Sequence, residues 1–118
     1  MKKEFYDLAK KIAAWHEQTF PDEDKTGQLL KLDEELNEWD NSDPDNDMEE
    51  LSDCFIVAAS LWNRFNTLIG IILMDHIIEY CADADGELYD AIVAKMEVNK
   101  ERTKRGVWKK QPNNPYHH

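Results

Sequence analysis

At 118 residues the chain has the length of one domain, with room for one modest hydrophobic core. Its 14 Lys and Arg against 25 Asp and Glu leave a net charge of -11, a field that repels polyanions and argues against nucleic acid as a partner. The longest apolar run, Leu68 to Met74, is interrupted by Gly70 and is far too short to cross a bilayer. Met1 is followed by no apolar leader, so a cytoplasmic protein without membrane contact is expected.

Alternating strand patterns are nearly absent and apolar residues recur at three- and four-residue spacing, which predicts an all-α bundle of four to five helices. A first helix is expected from Lys3 to Thr19, with Phe5, Leu8, Ile12 and Trp15 on one stripe, ending at Phe20-Pro21. After a loop at Asp22 to Lys25, a second helix over Thr26 to Asp40 places Leu29, Leu32, Leu36 and Trp39 on one face. Asn41 to Asp47, with Pro44 inside, breaks it. The third helix, from Asp47, is apolar nearly all round between Leu51 and Trp62, the pattern of a central buried helix. A fourth helix is predicted over Thr67 to Cys81, a turn at Ala82 to Gly86, and a fifth helix from about Glu87 to Lys104. The expected organisation is one helical domain over residues 1–106 and a loosely ordered tail over 107–118, in which Pro112 and Pro115 oppose a helix and His117-His118 are set aside from the chemistry. Cys54 and Cys81 lie in helical apolar patterns with no partner at metal spacing, which predicts reduced, buried thiols.

Between Asp33 and Asp53, 11 of 21 residues are acidic, and their placement on the helices matters more than their number. At about 100° per residue, Gln28, Lys31, Glu35 and Glu38 share a face of the second helix beside the apolar stripe, and Glu50 and Asp53 share one of the third. Asp53 is followed one turn later by Ile56 and Val57, so its side of the helix does not simply face water. Partly buried carboxylates cost several kcal/mol each unless a cation compensates them. With only oxygen ligands nearby, that cation is expected to be hard, Mg2+ first and Mn2+ as a substitute. The segment Asp43 to Asp47 is not a calcium loop, because Met48 and Cys54 stand where the loop needs glycine and glutamate. A di-iron site needs Glu-x-x-His pairs, which are absent.

Half of the positive charge lies from Lys95 onward. On the fifth helix the face that begins with Leu88, Ala91 and Ile92 continues as Lys95, Asn99 and Arg102, turning from apolar to cationic. Carboxylates on two helices opposite Lys, Asn and Arg on a third suit a metal-bound polyphosphate.

The segments Glu34-Glu35-Leu36-Asn37-Glu38, Glu50-Leu51-Ser52-Asp53 and Lys95-Met96-Glu97-Val98-Asn99-Lys100-Glu101-Arg102, in the order EExxE, ExxD, KxxxNxxR, resemble the MazG family of all-α nucleotide pyrophosphatases, as does Gln28 to Leu32. The 11 residues between Glu38 and Glu50 are a short connection for that family. The resemblance implies hydrolysis of nucleoside triphosphates between the α and β phosphates, with magnesium held by Glu35, Glu38, Glu50 and Asp53 and Glu34 as a secondary candidate. It further implies Glu38, Glu35 and Lys95 as catalytic groups, and Gln28, Lys31, Lys95, Asn99 and Arg102 as substrate contacts. Alternatives are a dimeric-dUTPase-like or dCTP-specific pyrophosphatase, or a helical module that senses nucleotides without hydrolysis. Trp15, His16, Phe20 and Trp39 could supply a base-stacking surface, although aromatic residues at helical spacing are more often core packing. Similar proteins assemble as homodimers or homotetramers, and the apolar third helix is expected to be buried across subunits.

Overall fold

The computed structural model describes residues 1–106, which form five α-helices and no strand. The expectations for Pro112, Pro115 and the rest of the tail lie outside the described residues. α1 spans Lys3–Thr19 and buries Phe5, Leu8, Ala9, Ile12 and Ala13. It ends where Pro21 forbids the preceding residue a helical conformation. α2 spans Lys25–Asp40, one residue longer than expected, because Asp24 caps it by accepting the Gly27 N–H at 2.7 Å. The Pro44–Asn46 segment forms a 3-10 turn that leads directly into α3, Asp47–Asn63.

α4 spans Leu68–Tyr80 and α5 spans Asp85–Lys104. A 3-10 turn at Ala82–Ala84 joins them, and the fifth helix resumes two residues before the predicted start. Gly86 therefore sits inside the first turn of α5 rather than in a loop, exposed and with no heavy neighbour near the position of a Cβ. No helix among the described residues is long and apolar enough to cross a membrane.

α3 is the hub, with α1, α2, α4 and α5 all packed around it. Every residue from Leu51 to Leu61 is buried by the chain's own helices, so the third helix needs no second subunit to cover it. That corrects the reason given above for oligomerisation. Phe5 meets Phe55 and Tyr89 with ring centroids 5.9 and 5.6 Å apart, joining α1, α3 and α5 at one end of the core. Gly70 lets α4 cross α3 closely, since a Cβ there would fall 2.4 Å from the Ala58 carbonyl oxygen. Cys54 and Cys81 are free and buried, and burial with nearby carboxylates pushes the Cys54 thiol up to about 12, leaving it an inert core group.

α2 is tied to α3 by Leu32, Val57 and Leu61, with Leu29 and Leu36 beside them. This contact fixes the rotation of α2 so that Gln28, Lys31 and Glu35 are buried while Leu30 is 51% exposed. An apolar residue is left to water and three polar ones are taken inside, the reverse of what burial energetics alone favour.

Candidate functional site

The residues that α2 turns inward meet the first turns of α3. Glu35 and Glu38 lie one helical turn apart, as do Glu50 and Asp53, and one carboxylate oxygen from each of the four lies within 4.8 Å of the others. Glu35 and Asp53 are buried, Glu50 is half-buried, and Glu38 stands exposed at the mouth. The Leu32, Val57 and Leu61 contact between α2 and α3 lies about one helical turn along the chain from Glu35 and Asp53.

Like charges this close perturb one another. Burial, then the charge of Asp53, pushes the Glu35 carboxyl up to about 8, with Lys31 opposing and Glu38 adding to the rise. Glu50 is also raised, by burial first and then by Asp53, Glu38 and Glu49, against the pull of Lys95. Its Oε2 is buried without a hydrogen-bond partner among the described residues.

Two ammonium groups flank the acids. Lys31 Nζ lies 3.3 Å from Glu35 and 3.8 Å from Glu34. Lys95, reaching across from α5, donates to Glu49 at 2.9 Å and lies 3.5 Å from Asp53. Burial draws the Lys95 ammonium down, but the Glu49 hydrogen bond and the charges of Asp53 and Glu49 outweigh it, so it is held above its ordinary range. Lys31, Glu34, Glu35, Glu38, Asp53, Lys95 and Arg102 together wall a polar cleft of about 180 Å³.

The donor set fits a hard divalent cation. An octahedral magnesium shell, with oxygens about 2.1 Å from the ion, spans about 4.2 Å between opposite ligands, the scale of this quartet. A cation there would also satisfy the buried Glu50 oxygen and offset the burial and the Asp53 charge that together raise Glu35.

The structure thus brings together Glu35, Glu38, Glu50, Asp53, Lys31, Lys95 and Arg102. Gln28 and Asn99 are not on the cleft wall. Both are buried, and Gln28 Oε1 and Asn99 Oδ1 have no hydrogen-bond partner among the described residues. Sequence reasoning missed Glu49, the hydrogen-bond acceptor of Lys95; its spacing of four from Asp53, one turn on the same helix, was the available signal.

The aromatic candidates pack elsewhere. Trp15 meets Phe20 edge-on at 5.7 Å, His16 tilts against Phe20 at 5.4 Å, and Trp39 meets Tyr80 at 5.7 Å. None of these lines the acidic cleft. Arg64 locks the first group: its guanidinium donates to His16 Nδ1 at 2.8 Å and to the Phe20, Pro21 and Glu23 carbonyls.

Comparison of the chain with protein-family profiles, with curated proteins and with solved structures returns no match.

Proposed function

We propose that the chain is a magnesium-dependent nucleotide pyrophosphohydrolase that cleaves a nucleoside triphosphate between its α and β phosphates, giving the monophosphate and pyrophosphate. The observation that carries this reading is the convergence of four carboxylates from two helices within 4.8 Å, opposite lysines from α2 and α5. An acidic patch that only solvated the surface would splay its side chains toward water, and Glu35 and Asp53 do the opposite. The ordered motif resemblance set out above supports the same reading.

Glu35, Glu38, Glu50 and Asp53 would hold Mg2+, or Mn2+ in its place, and the ion would supply positive charge against the polyphosphate and acidify nearby water. Glu38, the exposed member, would orient a water at the cleft mouth and take its proton. The buried Glu35 carboxylate would complete the ligand set. Lys95 and Arg102 would bind the phosphoryl oxygens and stabilise charge growing on the departing pyrophosphate, with Lys31 closing the opposite wall. Asn99 lies four residues after Lys95 and three before Arg102 on one helical face, buried behind the cleft with its Oδ1 lacking a hydrogen-bond partner among the described residues, and its amide would complete the phosphate or sugar contacts. Gln28 extends the Lys31 and Glu35 face by one turn in the same way.

The reading includes a cytoplasmic homodimer or homotetramer. Support for association comes from α4 rather than α3, since Leu68, Ile69 and Ile72 are 69%, 46% and 59% exposed.

The test is pyrophosphate release from the eight common ribo- and deoxyribonucleoside triphosphates with Mg2+. Release is expected from the wild type, with a loss of at least about 100-fold in Glu38→Gln and Asp53→Asn while the helical circular dichroism is kept. Normal turnover in both variants would remove the site. Release from dCTP or dUTP alone would place the chain with the base-specific enzymes, and binding without release would make it a nucleotide sensor.

A further inference from the structure

Lys95 and Arg102 border a second hollow besides the acidic cleft. Met48 and Glu49 from the first turn of α3, with Ala91, Ala94, Lys95, Val98 and Arg102 of α5, enclose a groove of about 330 Å³. The same two cations therefore belong to the walls of both. The two hollows differ in chemistry: the cleft is lined by charged groups, the groove by a methionine, two alanines and a valine that is 43% exposed. Among the described residues, Glu49 carries the one carboxylate on the groove's wall.

A nucleotide has the same two-part chemistry. Its phosphates need a cation and ammonium or guanidinium donors, while its base presents flat apolar faces. Among the described residues, the cleft of about 180 Å³ is walled by charged side chains with no apolar face to receive a base, and the aromatic residues Trp15, His16 and Phe20 are packed with one another away from it. With its phosphates against Lys95 and Arg102, a ligand has the apolar groove directly across those two side chains.

Resting on the pyrophosphohydrolase reading, we propose that the groove between α3 and α5 receives the nucleoside of the nucleotide whose phosphates occupy the acidic cleft. The base lies on Met48, Ala91, Ala94 and Val98, and the Glu49 carboxylate, which accepts from Lys95 through Oε1, turns its other oxygen to the sugar hydroxyls. A surface of aliphatic side chains gives contact without reading base edges, so discrimination among bases is weak, within about tenfold, the scale that apolar contact alone supplies.

Calorimetric titration of the full chain separates the two parts of the ligand. The probes are inorganic tripolyphosphate and the non-hydrolysable α,β-methylene analogue of ATP, each with Mg2+. The wild type is expected to bind the nucleotide analogue at least about tenfold more tightly than tripolyphosphate. Ala94→Trp, which fills the groove from an exposed position, and Val98→Gln, which makes its wall polar without adding charge, are expected to remove that margin and leave tripolyphosphate binding within about twofold. A margin that persists in both variants, or a wild type with no margin, overturns the groove and leaves the phosphate site standing. A wild type that binds neither probe overturns the pyrophosphohydrolase reading and the groove with it.

Discussion

Glu35 is a carboxyl group held where it does not want to ionise, and replacing it with glutamine should make the metal-free protein more stable in alkaline solution. Its folded pKa stands at about 8, raised by burial and by Asp53 from an ordinary value of 4.5. Because the folded value lies above the unfolded one, folding takes up a proton between about pH 4.5 and pH 8, and stability falls as pH rises across that window. Glutamine resembles the protonated acid and loses nothing there. The full shift corresponds to a few kcal/mol, but Lys31 and water at the cleft mouth screen it, so we take about 1–2 kcal/mol at pH 8.5. For a chain of this size that is about 4–8 °C in Tm. Thermal melts of wild type and Glu35→Gln in EDTA should diverge from pH 5.5 to pH 8.5, with the variant ahead. Adding Mg2+ at millimolar concentration should raise the wild type and close or invert the gap, because only the intact quartet gains binding energy. A variant that melts below the wild type at pH 8.5 without metal would refute the claim that burial and the Asp53 charge disfavour ionised Glu35.

Two glycines should respond with opposite signs to the same change. Gly70→Ala forces a methyl to within 2.4 Å of the Ala58 carbonyl oxygen and 2.7 Å of the Trp62 nitrogen, and should cost about 1–3 kcal/mol in urea unfolding despite better helix propensity. Gly86→Ala meets nothing within 4 Å and should gain about 0.5–1 kcal/mol in the same assay. Arg64→Ala removes the donor shared by His16 Nδ1 and the Phe20, Pro21 and Glu23 carbonyls that follow α1, and should cost about 2–3 kcal/mol by urea unfolding without altering metal affinity.

Much of the site was legible because helical spacing is rigid. Acids three apart on adjacent helices must share a face, so Glu35, Glu38, Glu50 and Asp53 were readable once both helices were placed. The bounds of α1 followed from Pro21, and α3 announced itself as the hub by being apolar on every side. What sequence could not supply was the rotation of one helix against another. The α2–α3 contact turns Gln28, Lys31 and Glu35 inward and Leu30 outward, a choice made by Leu32 meeting Val57 and Leu61. Gly86 was read as a turn because glycine weakens a helix, yet a first-turn glycine costs only about 1 kcal/mol and the helix absorbs it. Arg64 gave no signal at all; its partners are backbone carbonyls more than 40 residues away, which no local pattern encodes. The four aromatic candidates were legible as a set but not in their contacts, since edge-on packing and ligand stacking demand the same residue types.

The central claim is that four acidic side chains share one hard cation. A crystal soaked in Mn2+ and the α,β-methylene nucleotide, with data collected at the manganese edge, addresses it directly. The account predicts an anomalous peak within coordination distance of oxygens from Glu35, Glu38, Glu50 and Asp53, with the phosphates lying between it and Lys95. Anomalous density confined to other carboxylates, with the quartet open to solvent and Lys95 still bound to Asp53, would contradict it.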